Sequence, residues 1–285
     1  MSDRNGRSDR NGRQGEAPPL PERLRTPAVD SHCHLDLMSP HMTGPHLGQA
    51  LADAVAAGVP KMVTVGVDVP SSRWCAEVAA THGALLAAVA LHPNEAPTAT
   101  AEDFAEIERL AAQPRVRAIG ETGLDFYRTG EDGRGEQEAS FRRHIDLAKR
   151  TGKALVIHDR DAHDDVARVL EEEGAPDRVV FHCFSGDEQF ARRCVDAGYV
   201  LSFAGTLTFK NSEGLRRAAA LVPRDQLLVE TDAPFLTPMP YRGRPNAPYL
   251  IPLTVRCLAE VQGVEEDEIA AAVTATAERV FGSWA

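Results

Sequence analysis

Short apolar segments alternate with helix-forming segments along most of the chain, and this alternation limits the possible fold more than any other feature. Eight of the apolar segments have the length and composition of strands, and they are, in order, AVDSH, PKMVTVG, ALLAAVALH, VRAIG, ALVIH, RVVFH, YVLSFAG and QLLVE. Continuous apolar strands separated by helices are typical of a parallel sheet buried on both faces. Eight such units, with closing helices near 248–262 and 265–281, predict an α/β fold, a single (β/α)8 TIM-like barrel over residues 28–285.

The first 27 residues differ in composition from the rest of the chain. The sequence SDRNGR occurs at 2–7 and again at 8–13 without any apolar residue, and the proline-rich segment PPLPERLRTP follows. Such a segment buries too little apolar surface to offset the entropy lost on ordering. We therefore predict a disordered tail over residues 1–27 and a hydrolase barrel without an internal domain boundary over 28–285.

Composition and charge exclude several classes of protein. No apolar run approaches the roughly 18 residues that a membrane-spanning helix needs, and the N-terminus lacks the apolar core of a signal peptide. Five cysteines without a CxxC pair fit free thiols in a reducing cytoplasm better than a disulfide framework. The net charge of −11 argues against non-specific coating of nucleic acid, although bound divalent cations attract phosphate even to an acidic protein. We expect a cytoplasmic protein without a membrane partner.

Six side chains of types that bind metals lie at or just after the ends of five of the apolar segments. They are His32, His34, Glu121, His158, His182 and Asp232. A (β/α)8 barrel builds its active site in this way, from the carboxyl ends of several strands. His32 and His34 are two residues apart in a strand, so both side chains point to one face and Cys33 points away. The array predicts a metal-dependent hydrolase.

The ligand types suggest how two cations are held. His32, His34 and Asp232 are expected to bind one divalent ion, His158 and His182 the second, and Glu121 to bridge the two. Imidazole nitrogens together with carboxylates suit Zn or Mn, and carboxylates suit Mg, so the identity of the metal stays open among these. A two-metal site activates water for hydrolysis, and we expect Asp232 and Glu121 to be the catalytic residues.

Further polar residues follow other strands and are candidates for binding substrate. His92, in LHPNE at the end of the third apolar segment, is placed to bind phosphate or to orient a leaving group. Arg128 and Arg160 fall in loops after strands, as do Lys210 and Arg242, and the arginine fork pairs well with phosphate. The predicted substrate-binding residues are His92, Arg160 and Arg128.

Five segments together resemble the signatures of the TatD family of metal-dependent deoxyribonucleases, which are barrel hydrolases of the amidohydrolase type. They are DSHCHLD, GETGLDFYR, HDRDA, FHCFSG and ETDAPFLTP. The resemblance runs from about residue 28 to the C-terminus and implies a TIM-like barrel, divalent metals and hydrolysis of DNA, with the same six residues as ligands. Two positions depart from the family pattern. Ala247 stands in Asn-Ala-Pro where Asn-Glu-Pro is usual, and Ala277 stands where an asparagine is usual.

Three functions remain open from the sequence. The first is a deoxyribonuclease, an exonuclease acting on single-stranded DNA or on strand ends. The second is another barrel metallohydrolase that acts on an ester, lactone or amide, such as an aminoacyl-tRNA deacylase. The third is a metal-binding protein without catalysis, against which the intact ligand set argues. Glu121 stands where other barrel hydrolases often have a carboxylated lysine, and this favours the first. The sequence does not predict the oligomeric state or the direction of DNA digestion.

Overall fold

The computed structural model describes residues 16–39 and 42–284. Within these ranges, eight strands form one sheet at the centre of the molecule. They are β1 (Val29–Cys33), β2 (Lys61–Val65), β3 (Leu85–Val89), β4 (Val116–Asp125), β5 (Ala154–Arg160), β6 (Val179–Phe181), β7 (Val200–Phe203) and β8 (Leu227–Val229). Each strand pairs in parallel with the next one along the chain. The predicted eightfold alternation is therefore confirmed.

Helices cover the outside of the sheet in the same ranges. They are α1 (Leu35–Met38), α2 (Pro45–Ala56), α3 (Val69–Thr81), α4 (Ala101–Ala111), α5 (Arg134–Thr151), α6 (His163–Glu173), α7 (Glu188–Asp196), α8 (Glu213–Leu221), α9 (Ile251–Gln262) and α10 (Glu266–Phe281). Local sequence sets their ends. Asp68 and Ser71 form a capping box at the start of α3, and Gly152 adopts the left-handed conformation that ends α5. None of the described helices is long and apolar enough to cross a membrane.

The strand register is interrupted at two places that matter for function. Asp30 pairs with Met62 and Cys33 with Thr64, so a step of three residues on β1 matches a step of two on β2. The same irregularity occurs on β4 between Ile119 and Thr122, opposite β5. An extra residue of this kind bends a strand and re-aims its side chains, and it is common next to active sites. The two irregular segments carry His32 and Glu121, which both point to the carboxyl ends of the strands.

Hydrogen bonds between the end of β1 and the segment after β8 bring the two edges of the sheet together into a nearly closed barrel. The carbonyl of His32 accepts from the backbone N–H of Asp232 at 2.9 Å, and the N–H of His34 donates to the carbonyl of Ala233 at 2.8 Å. Deeper in the barrel, the hydroxyl of Ser31 donates to the carbonyl of Val229. Sequence positions about 200 residues apart are thereby joined, and the TIM-like barrel is complete as predicted.

Two apolar cores stabilise the barrel. The larger one lies between the sheet and the surrounding helices, and the smaller one fills the barrel interior with side chains such as Val63, Val156 and Val200. The end of α10 and the residues after it, including Ala277 and Trp284, close the interior core from below. Ala277 is fully buried there, so the departure from the usual asparagine places an apolar side chain in an apolar environment.

The N-terminal segment requires a correction to the predicted tail boundary at residue 27. Residues 1–15 lie outside the described residues, but residues 16–27 pack along the barrel. Leu24 is 1% exposed and its N–H donates to the carbonyl of Ala57. Arg244 donates to the carbonyl of Glu16, and the Tyr249 hydroxyl donates to the carbonyl of Pro18. The composition of this segment predicted disorder because it does not show partners such as Arg244 and Tyr249, which lie more than 200 residues away in the sequence.

A buried histidine ties α5 to the barrel. The Nδ1–H of His144 donates to the carbonyl of Ser140 at 2.8 Å, and its Nε2 accepts the N–H of Leu91 at 3.2 Å. Both nitrogens are thus satisfied by a neutral ring, and a second proton on Nε2 would face another donor. Burial lowers the pKa of His144 to about 4, and the charge of Arg143 acts in the same direction, against the hydrogen bond to Ser140.

This histidine should make stability depend on pH. The unfolded chain takes up the proton near pH 6.5, whereas the folded chain excludes it down to about pH 4. The contribution of His144 is therefore complete above pH 6.5 and is lost as the pH falls towards 4. Between pH 7 and pH 5 the wild-type protein should lose about 2 kcal/mol more unfolding free energy than His144→Gln. Urea denaturation of both proteins in EDTA measures this, and equal losses would contradict the prediction.

Candidate metal centre

The closed seam of the barrel brings the first three predicted ligands together. The Nε2 atoms of His32 and His34 lie 3.2 Å apart, so the two side chains point together as their spacing predicted. Oδ1 of Asp232 is 3.3 Å from Nε2 of His34 and 4.0 Å from Nε2 of His32. The side chain of Cys33 points the other way, towards the carbonyl of Val63. These three ligand atoms lie close enough to one another to hold one metal ion.

Glu121 lies between the two groups of predicted ligands. Its Oε2 is 3.5 Å from Nε2 of both His32 and His34. Its Oε1 is 2.6 Å from Nδ1 of His158 and 2.9 Å from Nε2 of His182. One carboxylate oxygen therefore faces each group, which is the arrangement that a bridging ligand requires.

Three of the histidines are oriented by acceptors behind them. His34 donates through Nδ1 to the carbonyl of Val65 at 2.9 Å, and His182 donates through Nδ1 to Oε1 of Glu230 at 3.0 Å. His158 donates through Nε2 to Oδ2 of Asp125 at 3.2 Å. In each ring the other nitrogen faces the centre of the site, where it can bind a metal ion once it has released its proton. Metal-binding histidines are oriented in this way by their outer hydrogen bonds.

The charge balance of the site favours cations. Burial works to lower the pKa of His34, but the hydrogen bond and charge of Asp232 raise it to about 9. Burial acts likewise on His182, and the charges of Glu121 and Glu230 nevertheless hold its pKa well above the ordinary value. Burial would raise the pKa of Glu121, yet the charges of His182 and His92 hold it well below its usual range. The raised pKa values place protons on the nitrogens of His34 and His182 that face the carboxylates, and divalent metal ions can replace these protons.

The backbones of β4 and β5 lie close together, which places Glu121 and His158 side by side. Gly123 pairs with His158, and its φ of +135° lies in the region that favours glycine. A Cβ atom at Gly123 would lie 2.1 Å from the carbonyl oxygen of His158. Only glycine therefore fits this position of the GETG segment. The fourth strand continues to Asp125, beyond the predicted VRAIG, because Gly120 and Gly123 interrupt the apolar run without ending the strand.

The three predicted substrate-binding residues take different positions. His92 lies close to the predicted ligands, with Nε2 3.4 Å from Oε1 of Glu121 and its ring packed edge-on to that of His158. His92, Glu121 and His158 together also have ligand atoms close enough to hold a metal ion. Arg160 ends β5 and stacks on the ring of Tyr127 at 3.9 Å. Arg128 lies exposed in the turn after β4.

Sequence reasoning missed two carboxylates of the site. Asp125 contacts His158, and Glu230 accepts hydrogen bonds from His182 and from the backbone N–H of Cys183. Asp125 lies in GETGLD, four residues after Glu121, and Glu230 lies in VETD, two residues before Asp232. Their role could not be predicted because each accepts a hydrogen bond from a histidine of another strand. The spacing of residues along one strand does not show such contacts.

A family model described as TatD related DNase matches residues 29–282. The chain belongs to this family. The resemblance seen in the five sequence segments is thereby confirmed. Asn246, which precedes the departure at Ala247, has a structural role, since it donates to the carbonyls of Thr231 and Phe235 on either side of Asp232.

Relatives with curated descriptions are named as hydrolases. The uncharacterized metal-dependent hydrolase TatD of Mycobacterium tuberculosis is 50% identical over 89% of this chain and 97% of its own length. The uncharacterized metal-dependent hydrolase YcfH of Escherichia coli is 37% identical over 89% of this chain and 95% of its own length. With the family match, these relatives make the chain a metal-dependent hydrolase of the TatD family.

Solved structures share the fold. The crystal structure of YjjV, a TatD homologue from Escherichia coli, aligns with a TM-score of 0.82 at 29% identity and covers 90% of this chain and 98% of that one. A TatD family hydrolase from Entamoeba histolytica aligns with a TM-score of 0.79 at 17% identity over 90% of this chain and 99% of its own. The second likeness shows the fold alone.

Removing Glu121 should reduce metal binding because one carboxylate faces both groups of ligands. We expect Glu121→Ala to retain at most half of the metal that the wild-type protein holds after dialysis, while its thermal unfolding stays cooperative. Elemental analysis per chain measures the metal content. Glu95→Ala is a matched control, since Glu95 is an exposed carboxylate three residues after His92 and should leave the content unchanged. Wild-type metal content in Glu121→Ala would show that this residue does not bridge.

Proposed function

We propose that this protein is a deoxyribonuclease that hydrolyses phosphodiester bonds of DNA, on single strands or at strand ends, with two divalent cations, Mg, Mn or Zn. The observation that carries the proposal is the position of Glu121, whose Oε2 faces His32 and His34 and whose Oε1 faces His158 and His182. Paired cations that share a carboxylate suit hydrolysis of phosphate esters, because one phosphate offers oxygens to both. The membership in a family described as TatD related DNase supports the same activity.

The proposal assigns the ligands to two positions. His32, His34 and Asp232 hold the first cation, His158 and His182 the second, and Glu121 contacts both. When bound, the cations lower the pKa of water and offset the negative charge that develops on the phosphate. His92, 3.4 Å from Oε1 of Glu121, borders the second position and is placed to donate to a phosphate or leaving-group oxygen.

Asp232 is the proposed general base. It follows β8, its Oδ1 faces His34, and its side chain is 13% exposed, so the carboxylate reaches both the ligands and the open end of the barrel. Burial would raise its pKa, but the hydrogen bond and charge of His34 lower it, which keeps Asp232 ionised and able to accept a proton from water. Glu230 and Asp125 stay behind the histidines and hold their orientation.

Cations at the mouth of the barrel are available for an anionic substrate. Several arginines on the outer helices form ion pairs with carboxylates, as Arg142 does with Glu138 and Glu173. Four cations at or after the carboxyl ends of strands form no ion pair with any residue in the described ranges. They are Arg128, Arg160, Lys210 and Arg242. In a chain with a net charge of −11, unpaired arginines near the metal centre favour phosphate groups.

Activity on DNA is tested with end-labelled oligonucleotides. The purified protein, stripped with EDTA and then supplied with Mg²⁺, Mn²⁺ or Zn²⁺, should shorten single-stranded DNA and be inactive without added metal. Digestion of duplex DNA with blunt ends would show that the protein acts at strand ends. Digestion only of a duplex with single-stranded tails would show that it requires unpaired strands. A fully metallated protein that leaves DNA intact but cleaves a lactone or an aminoacyl ester would contradict the proposal.

The role of Asp232 is tested by a substitution that keeps its shape. Asp232→Asn retains one coordinating oxygen but loses most of the basicity, so turnover should fall by on the order of 10²–10⁴-fold. Metal content should fall much less, and elemental analysis of the same sample measures it. A variant that holds its metals and turns over at nearly the wild-type rate would remove Asp232 from proton transfer.

A further inference from the structure

An exposed aromatic ring lies beside the metal centre. Within residues 16–39 and 42–284, Tyr127 is the only aromatic side chain that is mostly in solvent, with an exposure of 65%. It belongs to the turn that follows β4, the strand that carries Glu121. Exposed large apolar groups more often mark binding sites when they stand at a functional surface. Because Tyr127 lies at the carboxyl end of the barrel, its exposed ring is suited to bind a ligand that has a flat apolar face.

An arginine covers one face of this ring. The guanidinium carbon of Arg160 lies 3.9 Å from the ring centre of Tyr127. Arg160 is two residues after His158 on β5, and no carboxylate among the described residues pairs with it. Stacking of this kind orients the ring and leaves its second face open to solvent. The pair thus presents a flat surface with a positive charge directly beneath it.

Hydrogen bonds hold the turn in place relative to the metal centre. Oδ1 of Asp125 accepts the backbone N–H groups of Tyr127 at 3.1 Å and of Arg128 at 2.8 Å. The N–H of Phe126 donates to the carbonyl of Arg160 at 2.9 Å. The other oxygen of Asp125 contacts His158. One carboxylate therefore positions both a predicted metal ligand and the turn that carries the ring.

We infer that Tyr127 and Arg160 form a stacking platform for one unpaired nucleobase of a DNA strand whose neighbouring phosphate lies at the metal centre. The inference rests on the proposed function, which supplies DNA as the occupant. Every base has a face that stacks on an aromatic ring, and arginine adds attraction for the base and the backbone. Arg128, exposed on the same turn, is placed to contact a phosphate of the same strand.

The platform explains a preference for unpaired DNA. In a duplex both faces of an internal base are covered by its neighbours, so the base cannot stack on a protein ring without leaving the helix. A base in a single strand or at a frayed end has a free face. Tyr127 therefore selects single strands and ends by stacking, independently of sequence.

Binding of a labelled thymidine oligomer tests the platform separately from catalysis. Fluorescence anisotropy with the full-length protein is recorded in EDTA, where hydrolysis does not interfere, and again with Mg²⁺. An oligomer of the same length with abasic sites keeps the phosphates and lacks the bases. The wild-type protein should bind the thymidine oligomer roughly tenfold to a hundredfold more tightly than the abasic one. Tyr127→Ala and Tyr127→Leu should lose this preference, and Tyr127→Phe should keep it.

The outcomes separate the platform from the proposed activity. A protein that digests DNA, but whose Tyr127→Ala variant keeps the wild-type preference for bases, overturns the platform and leaves the nuclease intact. A protein that does not digest DNA, but whose preference for bases disappears in Tyr127→Ala, supports the platform and removes the nuclease. Tighter binding of a ribo-oligomer that depends equally on Tyr127 overturns DNA as the occupant. Thermal unfolding of each variant confirms folding, which the exposure of the ring favours.

Discussion

Closure of the barrel between β1 and β8 is the interaction on which the rest of the structure depends. The residues that form the hydrogen bonds of this seam, His32, His34 and Asp232, also carry the side chains of the first predicted metal position. Below them, Asp30 accepts hydrogen bonds from the backbone and the hydroxyl of Thr231 and ties the same strands together. Closing the fold and assembling the first predicted metal position are therefore a single structural event. A change that opens the seam removes both.

The charges gathered in the candidate metal centre are costly for the protein without metal. Glu121 and Glu230 are almost completely buried, and burial of carboxylates is unfavourable unless cations or strong hydrogen bonds compensate it. Histidines offset part of this charge, and their outer hydrogen bonds to Val65, Asp125 and Glu230 fix which nitrogen faces inward. Metal ions that bind only to the folded chain add stability through mass action. The apolar cores inside and outside the sheet supply the stability that the centre itself lacks.

The sequence predicted the parts of this protein that depend on local pattern. Alternating apolar strands and helices predicted the barrel, and the residues at strand ends predicted six side chains, Glu121 and five others, that the structure brings together. Features that depend on contacts between distant strands could not be predicted. Asp125 and Glu230 orient histidines of neighbouring strands. Residues 16–27 are ordered by partners near the other end of the chain, such as Arg244, and the irregularity of β4 appears only when its pairing with β5 is known.

The distribution of the centre along the chain has a consequence for biosynthesis. His32 belongs to the first strand and Asp232 follows the last one, so a chain emerging from the ribosome holds an incomplete set of ligands for most of its synthesis. The seam cannot form until β8 has left the exit tunnel, and the C-terminal residues that close the interior core, ending at Trp284, come later still. Each nascent chain is therefore inert as a hydrolase until it is almost complete, and the timing of activity is set by the topology of the barrel.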